Sequence, residues 1–124
     1  MKFVIVGFTD PTGTRLGFGS LMLGYFKDAT LLYAGNVGTG FTHSFLRAFR
    51  HKLHRIERKI PTVTLPKGHG VKGIHWVKPE LVGEVRFNEW TRDGSIRHPS
   101  FVGLRDDRSA KDVRREEPGQ RQGN

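Results

Sequence analysis

The chain of 124 residues predicts an all-β domain with one helix, a five-stranded antiparallel barrel in which the helix lies between the third and fourth strands. Three observations carry that expectation. Three short runs of apolar and β-branched residues, each bounded by turn residues, come first. One amphipathic stretch with helical spacing follows them. Two strand patterns joined by the hairpin turn Thr91-Arg92-Asp93-Gly94 complete the order.

The first strand is expected over residues 2–8, closed by Thr9-Asp10-Pro11-Thr12-Gly13. Residues 19–26, broken by Lys27-Asp28, and residues 31–37 read as the second and third, in a meander. The helix is expected over residues 42–59. Phe45, Leu46, Phe49, Leu53 and Ile56 share its apolar face, Thr42 or Ser44 caps its start, and Pro61 stops it. Its other face holds Arg47, Arg50, Lys52, Arg55 and Arg58, the pattern of a solvated surface. Residues 61–73 read as a loop. A long strand is expected over residues 76–90, with a bend at Pro79 near its start, and its return arm runs from Ser95 towards Leu104. Strand, strand, strand, helix, strand, strand is the plan of an OB-fold barrel. One domain is expected over residues 1–108. Residues 109–124 are expected to be a polar tail, with a short helix over 110–116 and disorder from Pro118.

This length buries one core without staples. There is no cysteine, which excludes disulfides and thiolate metal sites. No apolar run approaches membrane-spanning length and no signal-peptide layout is present, so a cytoplasmic protein without a membrane partner is expected. The net charge of +9 makes a polyanion the leading partner class, and because the tail is nearly balanced the excess belongs to the folded part.

Several constellations lack a complete chemistry. Gly35-x-x-Gly38-x-Gly40 precedes a helix, yet the lysine and hydroxyl of a nucleotide-binding loop are missing, so tight-turn glycines are the plainer reading. A weaker version leaves Thr39 and nearby amides to hold a DNA phosphate. His51 and His54 are three apart on the helix, but no further ligand stands at recognisable spacing, and no metal is expected. His43, His69 and His75 have no evident chemical partner. Ser44, Ser95 and Ser100 lack an activating motif. Lys67, Lys72 and Lys78 gather around Trp76, the mixture of cations and aromatic faces that a nucleic-acid groove needs, while Phe18 and Trp90 suit either such a groove or the core.

The most informative stretch is Arg97-His98-Pro99-Ser100-Phe101-Val102-Gly103-Leu104-Arg105-Asp106-Asp107-Arg108. Two arginines bracket a strand-like segment, and an arginine fork suits phosphate oxygens. Written R-x-P-x-F-x-x-x-R-x-D, it resembles motif VI of the ATP-dependent DNA ligases, a signature of their C-terminal OB domain. Residues 3–9, 17–24, 33–41 and 75–79 look like the same domain of bacterial end-joining ligases, so that the resemblance covers residues 3–115. The family closes the motif with Asp-Lys, where this chain has Asp107-Arg108.

The resemblance implies two tasks. In one, Arg97, Arg105, Asp107 and Arg108 reach the ATP phosphates held by an adenylation domain, in cis or in trans. Asp107 orients an arginine there, since like charges repel. In the other, Thr39, Arg50, Lys67, Lys72 and Lys78 contact nicked double-stranded DNA, in end joining and DNA repair at a bacterial nucleoid. ATP and Mg2+ enter only through the adenylation domain. The family's covalent lysine stands in a Lys-x-Asp-Gly motif that occurs nowhere in this sequence, so self-adenylation is not expected of it. The alternatives are a free-standing OB-fold binder of single strands, and an accessory module of a separate catalytic subunit.

Overall fold

The computed structural model describes residues 1–13, 16–70 and 72–115. The expected disorder from Pro118 lies outside the described residues. β1 (Lys2–Thr9), β2 (Leu21–Lys27) and β3 (Thr30–Val37) form the antiparallel meander the sequence predicts. Phe3, Val4, Ile5, Val6 and Phe8 are all buried, so β1 is covered on both faces. A strand buried on both faces reads as a continuous apolar run rather than an alternation.

Helix α1 (His43–Arg55) follows β3. The Phe45 N–H donates to the Thr42 hydroxyl at 3.1 Å, which caps the first turn. Leu46, Phe49 and Leu53 are buried, with Phe45 and Ile56 packed at the core margin. Phe18 sits among Phe41, Phe45 and Phe49 with ring centroids 5.0, 6.5 and 6.1 Å away, all edge-on. The helix stops one turn short of Lys59. Ile56 caps its end, and Glu57–Arg58 leave it as β4 to pair with Val77 and Trp76 of β5 (Ile74–Val77). Pairing with a distant strand overrides local helical propensity there.

The long strand expected over 76–90 is broken into pieces. β5 pairs with the end of β1 (Thr9↔Ile74), and β6 (Val82–Arg86) with its beginning (Val4↔Val82). Between them residues 78–81 bulge away around Pro79, which has no N–H for a ladder. The Ile5 N–H still reaches the Leu81 carbonyl at 2.9 Å across the bulge. β7 (Glu89–Trp90) and β8 (Ile96–Arg97) make a separate hairpin, turned at Thr91 to Gly94 as expected, with Gly94 at φ +88°. β9 (Ser100–Leu104) then returns along β6.

The main sheet runs β3-β2-β1-β5-β4, with β6 and β9 attached to the other stretch of β1. Among the described residues no ladder joins β3 to β9. The Phe101 N–H donates to the Thr39 carbonyl at 2.9 Å across that gap. The fold is therefore mostly β with one helix between β3 and β4. Trp90 belongs to the core, edge-on to Phe3, Phe87 and Tyr25, as does Phe18.

Beyond Arg108 the chain keeps packing. Ala110–Asp112 is a 3-10 turn rather than the expected helix, Ala110 and Val113 are buried, and the Phe26 N–H donates to the Val113 carbonyl at 2.8 Å. That bond draws the backbone out of helical geometry after Asp112. Glu116, the end of the expected helix, lies outside the described residues.

Candidate functional site

β8 and β9 carry the motif residues at their ends. Arg97 is the last residue of β8, and its Nε forms an ion pair with Glu89 Oε2, 3.1 Å away on the facing strand. Between the two strands His98 turns the chain with φ +53°, and its Nδ1 meets the Asn88 amide nitrogen at 2.9 Å. The Asn88 N–H donates to the Arg97 carbonyl at 3.0 Å, so Arg97 is tied to the hairpin through its backbone as well.

Arg105 follows β9 directly. Its Nε and Nη2 donate to Asp107 Oδ1 and Oδ2 at 3.0 and 2.9 Å, a two-point clamp, and its Nη1 donates to Glu84 Oε1 at 2.9 Å. Asp107 thus orients an arginine in the fold itself. Hydrogen bonding to Arg105 holds the Asp107 carboxyl below the usual carboxylate range and raises the guanidinium in return. Burial alone would raise Glu84. The hydrogen bond and charge of the Met1 ammonium, 2.8 Å away, together with Lys2 and Arg105, reverse that and lower it. Sequence reasoning missed Glu84 as a partner. Its outward position in the alternation of β6 was legible, but its register with Gly103 of β9 was not.

Arg108 is exposed and lines a shallow hollow with Glu80, Leu81, Val82, Arg105 and Asp106. The fold therefore gathers Arg105, Asp107 and Arg108, with Arg97 apart on its own hairpin.

The residues expected to touch DNA are dispersed. Thr39 is exposed, and its hydroxyl donates to the Pro99 carbonyl at 3.1 Å, beside the motif. Its neighbour Gly40 has φ +94°, and a Cβ there would come within 2.7 Å of the Phe101 nitrogen. The glycines of this segment serve close approach and turning. Arg50 is half-buried with its guanidinium 4.6 Å from the Phe8 ring centroid, and its Nη1 is buried with no hydrogen-bond partner. Lys67, Lys72 and Lys78 are exposed, and Trp76 is half-buried.

His75 has partners that the sequence did not disclose. Its Nε2 lies 2.6 Å from Asp10 Oδ1 and its Nδ1 2.9 Å from Glu57 Oε2, and its ring stacks on Phe8 at 4.8 Å. Burial would lower its pKa, but the hydrogen bonds and charges of Asp10 and Glu57 outweigh it and raise the value. His54 approaches the same Glu57 at 3.4 Å, and His69 meets the Gly70 carbonyl at 2.9 Å. Among the described residues no cluster of three or more His, Asp or Glu could hold a metal, and no helix is long and apolar enough to cross a membrane.

The element order, the basic body and the arginines at strand ends define the class, a basic OB-fold domain. Residues 14–108 match the family described as ATP dependent DNA ligase C terminal region, and the chain belongs to that family. It is 39% identical over 121 residues, 94% of its length, to the multifunctional non-homologous end joining protein LigD of Pseudomonas aeruginosa, of which it spans 14%. It superposes on the ligase domain of LigD from M. tuberculosis with a TM-score of 0.83 and 36% identity, covering 93% of this chain and 38% of that one. A mycobacterial DNA ligase D complexed with ATP and MES gives 0.80 and 36%, covering 93% and 37%. The chain thus spans only a small part of its relatives, and its homology is to the end-joining, ATP-dependent DNA ligases of DNA repair.

Proposed function

We propose that this domain is an OB barrel that serves an ATP-dependent DNA ligase in two positions. In the first it faces an adenylation domain, and Arg97, Arg105 and Arg108 meet the β- and γ-phosphates of ATP. Fixed positive charge on the departing pyrophosphate aligns it and stabilises the charge that develops as it leaves. The ATP and its Mg2+ belong to the adenylation domain. In the second position the domain holds nicked duplex DNA through phosphate contacts, which are tolerant of sequence and sensitive to salt.

One observation carries this reading. A guanidinium has five N–H donors. Asp107 and Glu84 engage three from Arg105, which leaves two for an incoming anion beside exposed Arg108. The single-strand reading is the weaker one, because it needs stacking aromatics and Phe18 and Trp90 are packed in the core.

The test joins the domain to a cognate adenylation domain. Arg105→Ala and Arg97→Ala are expected to slow self-adenylation by about 10²–10³, the usual loss for one such donor. Sealing of a nick that already carries AMP should suffer far less, because no pyrophosphate leaves in that step. Arg108→Lys should be close to neutral. Equal damage to both steps would assign these arginines to DNA grip or folding instead.

A further inference from the structure

The positive charge of this chain is concentrated in one segment. Residues 29–79 hold nine of the 21 lysines and arginines but only one of the 12 carboxylates, Glu57, and so account for +8 of the net +9. The half that carries the motif arginines is nearly balanced, and Arg97 and Arg105 are both paired there.

Helix α1 holds four of those nine cations, Arg47, Arg50, Lys52 and Arg55, and it has no acidic residue. His43, Arg47, His51 and Arg55 recur every fourth position and are all exposed, which sets them in one row along the outer face. Four residues advance a helix about 6 Å. The row therefore presents cationic or proton-binding groups at a regular short spacing, on a rigid element whose inner face is locked by Leu46, Phe49 and Leu53. None of the four has a hydrogen-bond or ion-pair partner among the described residues. Helix faces that serve only solvation are laced with opposite charges, because like charges at this spacing repel and destabilise the helix. At neutral pH the charges of this row are those of Arg47 and Arg55, and no carboxylate on the helix offsets them.

We propose that the outer row of α1 is an interaction surface for the phosphodiester backbone of duplex nucleic acid, with Arg47 and Arg55 as its phosphate contacts. The occupant follows from charge complementarity. A row of exposed arginines and histidines on a helix without a carboxylate fits a regular polyanion better than the mixed charges of a folded protein surface. The inference rests on the DNA-binding part of the proposed function and assigns it to an element other than the β4–β5 loop.

The experiment measures anisotropy of a labelled nicked duplex with the full chain, its R47Q/R55Q variant and, separately, a K67Q/K72Q loop variant, across a salt series. Each phosphate contact contributes about 0.9 logarithmic units of affinity at 0.1 M salt and the same amount of salt slope. The helix variant should therefore bind about 60-fold more weakly at that salt, with a slope shallower by about 1.8. Its thermal midpoint should stay close to that of the unaltered chain, because both arginines are exposed and make no ion pair, and this separates lost contact from lost fold. Weakened binding in the loop variant with the helix variant unchanged would overturn the helix surface and leave the DNA reading standing. Absence of salt-dependent binding by the unaltered chain would overturn both. Displacement of the duplex by polyglutamate at matched charge would assign the row to an acidic protein and refute the proposal.

Discussion

Gly40→Ala tests whether the β3–α1 connection holds the motif strand. Gly40 adopts φ +94°, and an added Cβ would lie within 2.7 Å of the Phe101 nitrogen and closer still to its carbonyl oxygen. Left-handed backbone costs about 1–2 kcal/mol for an L-residue. The clash also pushes Thr39 from Phe101, and breaking their 2.9 Å bond adds about 0.5–1.5 kcal/mol. A loss of about 1.5–3.5 kcal/mol is expected. Gly94→Ala is the control, since Gly94 has φ +88° but nothing within 4 Å of the added methyl. It should lose only the backbone cost, about 1–2 kcal/mol. Both substitutions gain similarly from a less flexible unfolded chain. Urea unfolding resolves the pair, because a slope of about 2 kcal/mol/M turns about 1.5–3.5 kcal/mol into a midpoint shift on the order of 1–2 M. Equal shifts for the two variants would refute the close approach of the connection to β9.

The His75 pKa is raised in the fold, so its contribution is full below the unfolded value of about 6.5 and is lost as pH rises through the higher folded value. The urea midpoint should therefore fall across that window in the unaltered chain and less so in His75→Gln; identical pH slopes would refute the Asp10–His75–Glu57 arrangement. Ending the chain after Arg108 removes buried Val113 and its bond to Phe26, which together contribute about 2–4 kcal/mol. A chain of residues 1–108 as stable as the full one would show that the segment after Arg108 adds nothing to the core.

The elements whose partners are near in sequence were legible. β1 to β3 announce themselves by apolar runs and turn residues, and α1 by the period of Leu46, Phe49 and Leu53. What was not legible depends on distant partners. Glu57 and Arg58 read as helix until β5 claims them, and one long strand becomes β5 and β6 because each pairs with a different stretch of β1. The site divides in the same way. Arg97, Arg105, Asp107 and Arg108 stand within one twelve-residue stretch and were singled out by their pattern. Glu84 stands 21 positions from Arg105, and Asp10 stands 65 from His75, so only the fold reveals them.

The three clamped donors of Arg105 have an entropic consequence. Fixing a long, rotamer-rich side chain costs up to about 2 kcal/mol, and here the fold has already met that cost before any anion arrives. The remaining N–H groups point in set directions, so an anion binding there, as proposed, would require no further ordering of this side chain, which is the advantage of preorganisation. Arg108 is the opposite case, with no hydrogen-bond or ion-pair partner among the described residues. Its charge can find an anion from many rotamers, but it must surrender that freedom on contact. A planar fork is therefore irreplaceable at 105, where three acceptors lie fixed around it, whereas position 108 demands little more than a reachable positive charge.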